Sequence, residues 1–147
     1  MDTRFSTAIH ALMMISQGEP PMTSEAIANS VGTNPSYIRK VTGLLKKSGI
    51  IHSHPGIRGF SLVIPPEKLS LYQIYQAINE TEEVHVFDLH RNPNDACIVG
   101  RHIRPVLTEC FREIERKAEE QLRQITLADC MDKMRKRIGE ETGRLGF

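Results

Sequence analysis

The stretch from Thr23 to Gly49, T-S-E-A-I-A-N-S-V-G-T-N-P-S-Y-I-R-K-V-T-G-L-L-K-K-S-G, constrains the fold of this 147-residue chain more than any other. It reads as two short helices joined by a tight turn. Thr23 is a strong N-cap, and Glu25 stands in the first turn, where the helix dipole favours an anion. Ala26, Ile27 and Val31 supply an apolar side, and Gly32 stands where a left-handed residue ends a helix. Asn34 caps the second helix, with Pro35 at the first helical position, where the missing N–H costs nothing. Ile38, Val41, Leu44 and Leu45 recur at helical spacing and should face a core. Ser36, Tyr37, Arg39, Lys40, Lys46 and Lys47 fall on the opposite side, and Gly49 closes the helix. A cationic face opposite an apolar stripe is also the ordinary form of a surface helix. The next segment decides between the two readings.

Ile50–His54 and Gly59–Ile64 are strand-like runs separated by Pro55-Gly56-Ile57-Arg58. Phe60, Leu62 and Ile64 alternate with Ser61 and Val63, as one buried face of a hairpin does. Pro55 and Gly56 supply turn chemistry. Arg58 would stand at the tip, where a narrow minor groove attracts a guanidinium, or where it is an ordinary solvated charge. Helix, turn, helix and hairpin in this order define a winged helix-turn-helix, whose second helix enters a DNA groove. The expected fold is therefore mainly α, with a small β-hairpin wing.

Charge agrees once its distribution is considered. The chain carries 19 Lys/Arg and 18 Asp/Glu, a net +1. Residues 1–64 hold six cations against three anions, so positive charge gathers in the half that reads as DNA-binding. Such a small excess implies few phosphate contacts per subunit, which dimerisation would double. No apolar run approaches the length of a membrane span, and no signal-peptide pattern opens the chain, so a cytoplasmic protein is expected. Three scattered cysteines, Cys97, Cys110 and Cys130, argue against a disulfide framework. No nucleophile–base pair, phosphate loop or paired-carboxylate cluster has catalytic spacing, which excludes the usual enzyme signatures.

The remaining chain divides into segments. Phe5, Ala8, Ile9, Leu12 and Met13 share one side of a helix over about 2–17, and residues 1–66 together form the DNA-binding region. Residues 67–100 form a connecting helix at about 70–80, with Leu71, Ile74, Tyr75 and Ile78 inward, and a loop from Thr81 onward. The longest helix spans about 101–124. Ile103, Val106, Leu107, Cys110, Phe111, Ile114, Ala118 and Leu122 give it an apolar stripe longer than a small winged helix needs. A homodimer seam through Ile103, Leu107, Cys110, Phe111, Ile114 and Ala118 is the economical explanation. Packing on its own subunit is the alternative. Thr126 with Asp129 resembles a capping box opening a last helix near 127–138. Gly139–Phe147 lacks apolar periodicity and is expected to be a flexible tail.

These residues resemble the Rrf2 family of bacterial winged-helix regulators. The likeness covers F-S-T-A-I-H-A-L, N-P-S-Y-I-R-K-V, the wing H-P-G-I-R-G-F-S-L and L-S-L-Y-Q-I-Y-Q-A-I-N-E. It implies a DNA-facing helix carrying Ser36, Tyr37, Arg39 and Lys40, a Gly56–Gly59 wing loop, and double-stranded operator DNA as partner. The family's cluster-binding members carry three closely spaced cysteines before the long helix, whereas this chain has Cys97 alone there. An iron–sulfur cofactor is therefore not expected. The chain looks closer to the family's clusterless members, and a transcriptional repressor is expected.

The signal is less constrained. Cys97 is the sensor candidate, with Arg101 and His102 available to stabilise its thiolate; a packed, inert cysteine is the competing reading. His85, His90, Cys97 and His102 have a spacing that fits none of the usual zinc motifs. His52 and His54 share one strand face, suited to phosphate contact or to solvent. Two function classes stay open: a sequence-specific repressor responsive to redox or thiol signals through Cys97, and a winged-helix protein-interaction module or a regulator controlled by a partner protein, small ligand or metal.

Overall fold

The computed structural model describes residues 2–18, 22–54 and 59–144. Among the described residues, six helices and a two-stranded sheet follow in the order α1 (Arg4–Gln17), α2 (Ser24–Val31), α3 (Pro35–Lys47), β1 (Ile51–Ser53), β2 (Phe60–Leu62), α4 (Leu71–Asn79), α5 (Ile98–Gln124) and α6 (Leu127–Arg144). A single 3-10 turn over Pro66–Lys68 precedes α4.

The caps anticipated from sequence set the helix-turn-helix. Thr23 Oγ1 accepts the Ala26 N–H at 3.1 Å, and Asn34 Oδ1 accepts the Tyr37 N–H at 2.8 Å. Gly32 adopts φ 85°, a left-handed conformation that glycine enters without a Cβ penalty, and so turns the chain sharply between α2 and α3. Ile38, Val41 and Leu45 are fully buried, and Leu44 packs at the core margin. They meet Ala8, Ala11 and Leu12 of α1, Ile27 of α2 and Ile74 and Ile78 of α4 in one continuous core. β1 and β2 are antiparallel, with Ile51 opposite Leu62, His52 opposite Ser61 and Ser53 opposite Phe60. Ile50 and Ile51 plug the core, while His52, Ser53 and His54 stay exposed.

Four features differ from the sequence reading. Within α4 it is Tyr72, not Tyr75, that is buried beside Ile74 and Ile78; Tyr75 is half-buried. Helix α5 begins at Ile98, about one turn early, because Asn94 folds the chain into a turn that makes Cys97 the N-cap. A Cβ on Gly100 would collide with the Asn94 carbonyl, so only glycine permits that close approach. Helix α6 also joins the core: Leu127 and Met131 are buried, and the Leu71 and Leu127 N–H groups donate to the carbonyls of Ile125 and Leu69, each at 2.8 Å. The Thr126–Asp129 capping box that starts it is complete.

The expected flexible tail is the fourth difference. Helix α6 continues through Gly139 and Gly143 to Arg144, and residues 145–147 lie outside the described residues. Each interior glycine costs about 1 kcal/mol, but the surrounding Lys, Arg and Glu are strong helix formers. Apolar periodicity is needed to bury a helix, not to extend one that is already anchored.

Candidate nucleic-acid interface

The exposed face of α3 carries Ser36, Arg39, Lys40, Lys46 and Lys47, at the three- and four-residue intervals that align side chains on a helix. Gly43 lies between the two cationic groups, and apart from the surrounding backbone of α3 and its chain neighbours nothing stands within 4 Å of where its Cβ would be. Sequence reading passed over this residue, although a glycine in mid-helix is itself a signal.

The individual side chains are not equivalent. Arg39 donates to Ser36 Oγ at 3.3 Å and lies 3.8 Å from Glu25 of α2, a loose, exposed pair that salt screens readily. Lys46 stands 6.0 Å from the Phe60 ring centroid, at the junction of α3 and the wing. Lys47 is bound to Glu80 at the end of α4, 2.9 Å away, and so ties α3 to α4. Tyr37 is half-buried against the core. Arg58, with Pro55–Ile57, lies outside the described residues. A cleft of about 430 Å³ separates α3 from the wing, lined by Thr23, Glu25, Arg39, Lys46, His54 and Phe60.

Behind this face, the loop after α4 is fastened along α5 mainly by side chains. Tyr75 Oη accepts the His85 N–H at 2.9 Å, and Glu115, the single buried residue of α5, accepts the Val86 N–H at 2.7 Å. His85 Nδ1 lies 3.4 Å from the same carboxylate, and Arg112 reaches Glu83 at 3.2 Å. These bonds satisfy backbone that has no helix or sheet partner. Phe87 and Phe111 have ring centroids 5.1 Å apart.

The apolar stripe of α5 is divided. Ile103, Leu107, Phe111, Ala118 and Leu122 are half-buried, whereas Val99, Val106, Cys110 and Ile114 are exposed. Cys97 is exposed, and the Gly100 and Val99 backbone N–H groups at the start of α5 hold its thiol below the usual range. The expected partners do not contribute: the Arg101 Nε donates to the Asp95 carbonyl at 3.0 Å. Burial pushes the Cys130 thiol up.

Among the described residues, no three His, Cys, Asp or Glu side chains group closely enough to hold a metal ion. Cys97 and Cys110 stand roughly 20 Å apart along α5, and Cys130 is on another helix. This donor set does not fit an iron–sulfur cluster, whose thiolates must converge. No helix of the described residues is long and apolar enough to cross a membrane.

The capped helix pair, the cationic helix face and the adjoining hairpin define a winged helix-turn-helix protein. The sequence pattern of the Rrf2 family, described as "Iron-dependent Transcriptional regulator", matches residues 1–133, and the chain belongs to that family. It is 40% identical over 132 residues to the "Putative HTH-type transcriptional regulator YwnA" of Bacillus subtilis, covering 90% of this chain and 97% of that protein. The crystal structure of "a putative DNA binding protein" is 38% identical, with a TM-score of 0.71 over 87% of this chain and 98% of that one. The crystal structure of a "putative transcriptional regulator" from Lactobacillus plantarum shares the fold at 20% identity, with a TM-score of 0.74 over 98% and 99% of the two chains.

Proposed function

We propose that this protein is a homodimeric, sequence-specific DNA-binding repressor that is released from its operator by modification of Cys97. The carrying observation is the exposed face of α3, where Ser36, Arg39, Lys40 and Lys46 flank the open backbone of Gly43. In this reading Arg39 reaches a base edge, Lys40 and Lys46 contact phosphates, and the Arg58 wing enters the minor groove. Tyr37 serves chiefly as the packing that fixes the helix, and Lys47 holds α3 against α4. The dimer forms through α5, about 40 Å long, whose Val106 and Ile114 side chains are 53% and 47% exposed in the single chain. A mobility-shift titration with the duplex upstream of the protein's own gene tests the reading, and specific retardation over a scrambled duplex supports it.

Release through Cys97 follows from its place at the α5 N-terminus, in the segment that joins the DNA-binding body to the dimer helix. A charged or bulky adduct there would perturb the Asn94 turn packed over Gly100, and so the separation of the two recognition helices. Cys97→Ser is expected to bind the operator as the parent does and to remain bound under oxidant. Release of that variant at the parent's oxidant concentration would place the sensor elsewhere.

Anaerobically purified protein is expected to be colourless, without stoichiometric iron or acid-labile sulfide. Visible absorption and iron analysis check this, and one cluster per dimer would overturn it.

A further inference from the structure

The exposed face of the wing holds a cluster that the proposed DNA contacts leave unused. His52 on β1 and His54 just beyond it lie two residues apart, so the strand's period brings both to one face. Ser61 stands opposite His52 on β2. The His52 Nε2 lies 2.7 Å from Ser61 Oγ and the His54 Nε2 3.0 Å from it. The two rings have centroids 4.5 Å apart at an interplanar angle of 64°. A serine hydroxyl has one hydrogen to give, so at least one of these imidazoles must present an N–H to it. Histidine is also the side chain that changes charge between about pH 5 and 8.

The surroundings favour an anion. His54 lines the cleft between the wing and α3, and the α2 N-terminus opens on the same cleft through Thr23 and Ser24. Among the described residues, the charged groups facing it are Lys46 and Arg39 from α3 and Glu25 from α2; Glu25 is already drawn toward Arg39 at 3.8 Å. Helix N-termini, hydroxyls and cationic side chains are the usual holders of DNA phosphates.

We propose that His52, His54 and Ser61 hold a backbone phosphate of bound duplex and that this contact takes up a proton. The inference rests on the DNA-binding reading above and adds the regulation of that site by pH. An imidazolium offers an N–H from each ring nitrogen where the neutral ring offers one, so the phosphate favours the protonated pair. Protons are then bound more strongly in the complex than in the free protein, and affinity rises as pH falls. A phosphate carries no sequence information, so the gain appears on any duplex.

Fluorescence anisotropy of the full chain tests this, with one labelled duplex from upstream of its own gene and one scrambled duplex, at constant ionic strength with a chelator present. The affinity for both duplexes is expected to rise about three- to tenfold from pH ~7.5 to ~6.0. The double variant His52→Gln/His54→Gln, with a parent-like thermal melt, is expected to lose that gain, its affinity for each duplex changing less than about twofold between the two pH values. A double variant that keeps the full gain overturns the proposal, as does a gain confined to the protein's own upstream duplex. Binding that ignores pH removes the proposal and leaves the DNA-binding reading intact. Absence of duplex binding at both pH values removes both.

Discussion

Ile114→Glu is expected to convert the protein from dimer to monomer and to abolish operator binding. The side chain is 47% exposed on the outer face of α5, one turn beyond the exposed Cys110 and two beyond Val106. In a twofold-symmetric seam each substitution places two carboxylates in apolar surroundings, at a cost on the order of 3 kcal/mol or more. That corresponds to at least roughly a hundredfold in the dimer dissociation constant. The fold of the single chain should survive, because Ile114 lies outside the core that joins α1, α3, α4 and α6. Light scattering at micromolar concentration, with circular dichroism beside it, separates dissociation from unfolding. A variant that stays dimeric would place the interface on another face.

Arg39→Ala and Lys46→Ala are expected to weaken DNA binding in different ways. Arg39 leans on Ser36 and Glu25 through exposed, readily exchanged contacts, so reaching a base requires giving up little. Its loss should cost about 1–3 kcal/mol on the operator and leave scrambled DNA nearly unaffected. Lys46→Ala should weaken both duplexes alike and lower the salt dependence of binding by about one counterion per site. Anisotropy titrations at several salt concentrations distinguish the two. Equal losses on both duplexes for Arg39→Ala would make it a phosphate contact. Lys47→Ala is instead expected to act on stability through its bond to Glu80.

The local signals in the helix-turn-helix were legible because each cap is decided within four residues. Thr23, Gly32, Asn34 and Pro35 do in the structure what their chemistry implies. The wing was legible for a similar reason: alternation fixes which side of a hairpin is buried, and Ile51, Phe60 and Leu62 turn inward accordingly. Long-range choices were less visible. Nothing near Lys47 announces Glu80, 33 residues away, and nothing near Glu115 announces the backbone of Val86. Periodicity marked the α5 stripe without revealing that the loop carrying Phe87 would cover one edge of it. The extent of α6 was missed because exposed helix needs good helix formers rather than a pattern. The Cys97 thiol is tuned by the backbone of α5 rather than by Arg101 or His102, and side-chain identities do not encode that backbone placement.

The central claim is sequence-specific recognition of duplex DNA by the α3 face and wing. Anisotropy of the wild-type protein at physiological salt, with its own upstream duplex and a scrambled duplex of equal length, tests it most directly. Binding at least about a thousandfold tighter to the operator-containing duplex is expected. Equal affinity for the two duplexes would contradict it.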